Sequence, residues 1–110
     1  MKRVTIDTRK IVDWDSFHDL FASELGFPRF YGRNMNAWID CMTYLDDPGA
    51  GMSSIHVERP GVLVLDLSHC EEFRQRCAEQ YAAIVECSAF VNYRRAESGD
   101  GPVLALAFKD

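Results

Sequence analysis

Val62-Leu63-Val64-Leu65-Asp66-Leu67 is an almost uninterrupted apolar run near the middle of the chain. A half-buried strand alternates apolar and polar residues, and this run does not, so it reads as a central strand covered on both faces. Upstream, Lys2 to Asp7 sets Val4 and Ile6 among charged and polar residues, the period-two pattern of a half-buried strand. Downstream, beyond the turn Ala-Glu-Ser-Gly-Asp-Gly-Pro, Val103 to Phe108 is a last strand of purely apolar residues.

The segments between these strands change period. From Asp13 onward Trp14, Phe17, Leu20, Phe21 and Leu25 form one helical stripe, with Asp13 or Asp15 as N-cap and Gly26 followed by Pro28 as the stop. A second helix over 34–46 turns Met35, Trp38, Ile39, Met42 and Leu45 inward and carries Asn36, Asp40, Thr43 and Asp47 up the opposite face. Residues 48–60, with two Gly and two Pro, read as an irregular connection. Ser68 with Glu71 makes a capping-box pattern for a third helical region. There Phe73, Cys77, Tyr81, Ile84, Val85 and Phe90 continue to about Arg95, with a break near Cys87 to Ala89. Buried strands joined through helices predict right-handed crossovers, hence an α/β fold with a parallel sheet and packed helices.

The 110 residues fit a single domain, 1–110, able to bury a core without a staple. Apolar residues at 47% and charged residues at 26% are the balance of an ordinary soluble globular protein. No stretch approaches the ~20 apolar residues of a membrane span, and no export signal is apparent. With 17 carboxylates against 12 Lys and Arg the net charge is −5, so a phosphate backbone is repelled on average and a basic protein attracted. Direct nucleic-acid and membrane binding are therefore not expected.

Cys41, Cys70, Cys77 and Cys87 show neither a Cys-x-x-Cys pair nor zinc-ribbon spacing. Cysteines seven apart on a helix have α-carbons ~10 Å apart, beyond disulfide reach. Free, buried thiols in a reducing cytoplasm fit this usage. His18, His56 and His69 show no metal-ligand spacing, and Pro48-Gly49-Ala50-Gly51 lacks the Lys and Ser or Thr of a phosphate loop. No cofactor or metal is expected.

The segment that carries chemistry runs from 27 to 46: Phe-Pro-Arg-Phe-Tyr-Gly-Arg-Asn-Met-Asn-Ala-Trp-Ile-Asp-Cys-Met-Thr-Tyr-Leu-Asp. An aromatic loop with Phe30, Tyr31 and Gly32 leads into a helix apolar on one side and acidic on the other, a surface suited to a cationic partner. The bland reading of charges on a helix is a solvated face. It fits Asp46 and Asp47 near the helix C-terminus, where carboxylates oppose the dipole. Aromatics ahead of a helix, Phe30 among them, can equally be core. Gly32 reads as a position where a β-carbon is disfavoured, and Asn34 as an N-cap.

From Pro28 through Thr43, without a gap, the segment resembles the barstar family: a proline, two aromatics, Gly, any residue, Asn, an apolar residue, Asp or Asn, Ala, two large apolar residues, then Asp-Cys and Thr. The family comprises small intracellular inhibitors that plug the active sites of secreted ribonucleases. The resemblance implies a barstar-like fold with a small three-stranded parallel sheet. It also implies a non-enzymatic, cytoplasmic bacterial protein, monomeric when free, whose partner is a ribonuclease or ribonuclease-type toxin with a basic active site. Residues carried over as partner-binding are Phe30, Tyr31, Gly32, Asn34, Asn36, Ala37, Asp40 and Thr43. Asp40 is the principal anchor, entering the pocket that holds the scissile phosphate and mimicking it through Arg to carboxylate bonds. Asn36 stands where the family's best-known member has a second aspartate, Phe30 replaces a tyrosine and Ile39 a tryptophan. Arg33 adds a positive charge at the rim, which would repel a strongly basic enzyme.

Two rivals stand beside this reading. One is an immunity protein of the same fold whose toxin is not a barnase-like ribonuclease. The other is a small hydrolase with Cys41 as nucleophile and His56 or His69 as base, which has the residue types of cysteine catalysis.

Overall fold

The computed structural model describes residues 2–110. In chain order the elements are β1 (Lys2–Asp7), α1 (Trp14–Leu25), α2 (Met35–Thr43), β2 (Leu63–Ser68), α3 (Cys70–Arg76), α4 (Ala78–Glu97) and β3 (Leu104–Phe108), with single 3-10 turns at Thr8–Lys10 and Pro48–Ala50. The strands form one parallel sheet in the order β1-β2-β3, with Lys2 opposite Leu63 and Leu63 opposite Leu104. The fold is α/β, with a three-stranded parallel sheet and packed helices, and the run at 62–67 supplies its central strand.

Sequential strand order has a consequence for coverage. Two crossovers of the usual hand, stepping in the same direction, bring every helix to one face of the sheet. That face carries Val4, Ile6, Leu63, Leu65, Leu67, Leu104 and Leu106, which pack with Phe17, Phe21, Trp38, Phe73, Ile84 and Val91 of the helices in one core. The reverse face carries Arg3, Thr5 and Ala105, all exposed. The expectation that β2 is a central strand covered on both faces holds for its side chains, although the helices cover only one of those faces. Val64 and Asp66 lie on the reverse side and are buried by neighbours within the sheet, Asp66 under Arg3 at 2.8 Å and Lys109 at 3.5 Å.

Local chemistry sets the helix limits. Asp13 caps α1, accepting from Ser16 N at 2.8 Å. Gly26 ends the helix in the left-handed region, where an added β-carbon would meet the Ser54 side chain. Asn34 caps α2 by accepting from Ala37 N at 2.8 Å. Helix α2 stops at Thr43, short of the expected 46, because Arg95 of α4 takes the Thr43 carbonyl at 2.9 Å and draws Asp46 inward. Asp46 is therefore buried rather than solvated, and Asp47 no longer shares a helix with Asp40.

Two further expectations are corrected downstream. Ser68 does not cap α3: it ends β2, donating to Ile6 O at 3.2 Å, and the N-cap is His69 in a left-handed conformation without a side-chain cap bond. The helical break falls at Cys77, not near Cys87, and α4 runs unbroken through Cys87 to Ala89. The break sits where Arg76 reaches back to the carbonyls of Ile11 and Thr8, which fixes α3 to the loop after β1.

Candidate functional site

Helix α2 presents its inner residues Trp38, Ile39 and Met42 to the core, with Trp38 edge-on to Phe21 at 5.6 Å. That packing leaves Asn36 and Asp40, four apart, exposed on the outer side. The Asp40 side chain is 52% exposed and takes one hydrogen bond, from Arg94 Nη1 of α4 at 3.2 Å. The carboxylate thus projects from mid-helix with most of its acceptor capacity open.

The preceding loop is built on Tyr31. Its ring packs on Phe27 at 4.8 Å, and its hydroxyl lies 2.6 Å from Nδ1 of the buried His18 on α1. Burial pushes the Tyr31 phenol well above its usual range and pushes the His18 imidazole down, with Arg33 nearby adding to the latter. A neutral imidazole against a neutral phenol is a stable brace under the loop. Phe30, by contrast, points out, 75% exposed, and is not core.

Gly32 does not supply the turn's left-handed step, contrary to expectation. Arg33 does, with φ 54°, and a β-carbon on Gly32 would meet Ala37 Cβ at an ordinary 3.4 Å. Such a conformation is costly for a residue with a β-carbon. Arg33 is held there by Asp19 at 2.9 Å and by the Asp15 carbonyl at 3.1 Å. Its charge is therefore met within the molecule by the Asp19 carboxylate and, at 3.5 Å, by that of Asp15.

Of the eight residues singled out, Phe30, Gly32, Asn34, Asn36 and Asp40 are exposed along one loop-helix surface, with Tyr31 and Ala37 half-buried beneath it. Thr43 is not part of it. Its side chain is buried and its hydroxyl donates to the Ile39 carbonyl at 2.7 Å, the back-bond of a threonine inside a helix. The sequence reading missed His18, which braces Tyr31, and Arg94, which touches Asp40 across 54 positions of chain. A stripe histidine on α1 was a faint signal for the first, and nothing local pointed to the second.

The remaining cavities and thiols have other characters. A cleft of about 1020 Å³ opens beside the starts of β1 and β2, lined by Lys2, Asp46, His56, Arg59 and Val62. Cys41 is buried, and burial together with the adjacent Asp40 pushes its thiol up to about 11. A thiol so held is a poor nucleophile. No cluster of three or more His, Cys, Asp or Glu residues able to hold a metal occurs among the described residues.

Comparison with known proteins agrees with this layout. A protein of Bacillus subtilis (strain 168), named "Putative ribonuclease inhibitor YrdF", is 40% identical over 43 residues, 39% of this chain and 47% of that relative. The matched stretch thus spans about half of the relative's length. The family model described as Barstar (barnase inhibitor) matches residues 1–107. A match over nearly the whole chain, on a three-stranded parallel sheet with packed helices, shows that the chain belongs to the barstar family, a family of inhibitors.

Proposed function

We propose that the chain inhibits a ribonuclease or ribonuclease-type toxin without turnover, by seating the loop 28–34 and α2 in the enzyme's active site. The observation that carries this reading is the Asp40 carboxylate, exposed in the middle of α2 beside a loop braced from below by His18 and Tyr31. A carboxylate in a cationic, water-poor cleft forms charge-assisted hydrogen bonds with the groups that hold RNA phosphate. Rigidity of the loop limits the ordering cost of docking. The relative named as a ribonuclease inhibitor supports the same assignment. A cytoplasmic, bacterial setting accompanies it, in keeping with four free cysteines, three of them buried.

Mixing with the target ribonuclease should give a one-to-one complex by size-exclusion chromatography and block RNA cleavage. Asp40→Ala should weaken the complex by about 100-fold, the scale of breaking a buried charge pair. Glu72→Ala, an exposed carboxylate on α3, should leave it within about threefold. Equal effects of the two substitutions would contradict the proposal.

A further inference from the structure

Arg94 and Asp40 form a cross-helix ion pair that is built to exchange. One N–H donates to one carboxylate oxygen at 3.2 Å, and the side chains are 39% and 52% exposed. Single-contact pairs this open to water contribute little and are readily traded for other partners. Arg33 of the loop is already engaged with Asp15 and Asp19, and Arg94 is the cation bonded to Asp40.

Phe90 lies four positions before Arg94 on the same face of α4, and Tyr93, three positions after Phe90, flanks it. Their rings lie 6.3 Å apart in a stacked arrangement, 45% and 59% exposed. Residues three and four apart are neighbours on a helix, so the open surface continues from Asp40 over Arg94 to the two rings. Phe17, Phe21, Trp38 and Phe73 are fully buried, whereas Phe90 and Tyr93, like Phe30 of the loop, stand out into solvent. Aromatic residues and arginine are the residue types enriched in protein interfaces.

Charge then constrains what can cover this face. A cationic cleft closing on Asp40 brings its positive groups against Arg94 and strips water from it. Unless the rim of that cleft offers a negative group, Arg94 is left desolvated beside like charges.

We infer that Arg94 of α4 exchanges partners when the inhibitory surface docks. On docking, Arg94 yields Asp40 to the enzyme's cleft and takes a carboxylate on the rim of that cleft, while Phe90 and Tyr93 cover an apolar patch beside it. This rests on the inhibitor reading above and adds the chemistry of the target: a cationic cleft bordered by a carboxylate. Arg94 is then a specificity-determining residue, since an equally basic enzyme lacking the rim carboxylate is rejected.

The sign of one substitution decides the matter. The probe is the ribonuclease retained by the immobilised wild-type chain from an extract of its source organism, identified by RNA cleavage, with barnase run in parallel. Arg94→Gln should weaken binding by about tenfold or more even though it frees Asp40, and Phe90→Ser should do likewise. Thermal unfolding monitored by circular dichroism confirms that each variant is folded. Unchanged or tighter binding of Arg94→Gln would make Arg94 merely an internal counter-ion of Asp40 and overturn the inference, while a loss with Asp40→Ala would leave the parent reading standing. Retention of no ribonuclease, or indifference to Asp40→Ala, would overturn both.

Discussion

Arg95 and Asp46 meet fork to fork beneath the end of α2: Nη2 donates to Oδ2 at 2.6 Å and Nη1 to Oδ1 at 3.1 Å. The same guanidinium donates to the carbonyls of Thr43 and Gly101, so one side chain ties α2 to α4 and to the turn before β3. Burial acts to raise the Asp46 carboxyl, but Arg95, aided by Arg59, outweighs it and holds the group below its usual range. Arg95→Met leaves a buried carboxylate served by Arg59 alone and should cost about 3 kcal/mol in urea unfolding. A loss below about 1 kcal/mol would show that Arg59 suffices.

The His18 imidazole is held below its ordinary value by burial, so the sign of its pH effect is fixed. Above an ordinary histidine pKa, about 6.5, it is neutral in both states and its contribution is complete. Below that, the unfolded chain takes the proton first, and stability falls as pH drops through the window down to the lowered native value. Unfolding free energies measured from pH 7.5 to pH 5 should decline for the wild type and stay flatter for His18→Gln. Parallel slopes would assign the decline to another group.

Tyr31→Phe keeps the ring against Phe27 but deletes the hydroxyl facing His18. The substitution should cost about 1 kcal/mol, the net worth of one hydrogen bond plus an unpaired imidazole nitrogen. Faster amide exchange across residues 29–34 should accompany it. Unchanged exchange there would mean that the loop is held by other contacts.

Asn34→Ala removes the acceptor for Ala37 N and should lower stability by about 1 kcal/mol, whereas Asn34→Asp should keep the cap and suit the helix dipole. Chemical denaturation of the two variants side by side tests this. Equal losses would point to the asparagine amide, which donates to Gly32 O at 3.3 Å, as the more important half of the side chain.

A net charge of −5 and an exposed Asp40 should make association with a basic enzyme fast at low salt. The association rate constant from stopped-flow mixing should fall steeply as ionic strength rises past about 0.1 M, with a weaker effect on dissociation. A salt-independent rate would remove steering from the account.

Periodic features were legible in advance. The three strands, the α1 stripe with its Asp13 cap and Gly26 stop, and the outward placement of Asn36 and Asp40 follow from spacing along the chain. What escaped depends on residues far apart. Helix α2 ends early because Arg95 captures Thr43 and Asp46, and Arg33 is neutralised by side chains 14 and 18 positions away. The helix break at Cys77 follows from the reach of Arg76 to Ile11 and Thr8, which no local pattern announces. The one-sided sheet required knowing strand order, since an apolar central run looks the same whether a helix or its own flanking strands shield the second face.

That one-sidedness gives the molecule a rear. Thr5 and Ala105 look out from the side of the sheet away from α2 and α4. A dye, a biotin or a fused partner attached at either position would hang behind the protein and leave the loop 28–34 and α2 clear, a handle by which the chain can be held and watched while the proposed docking is tested.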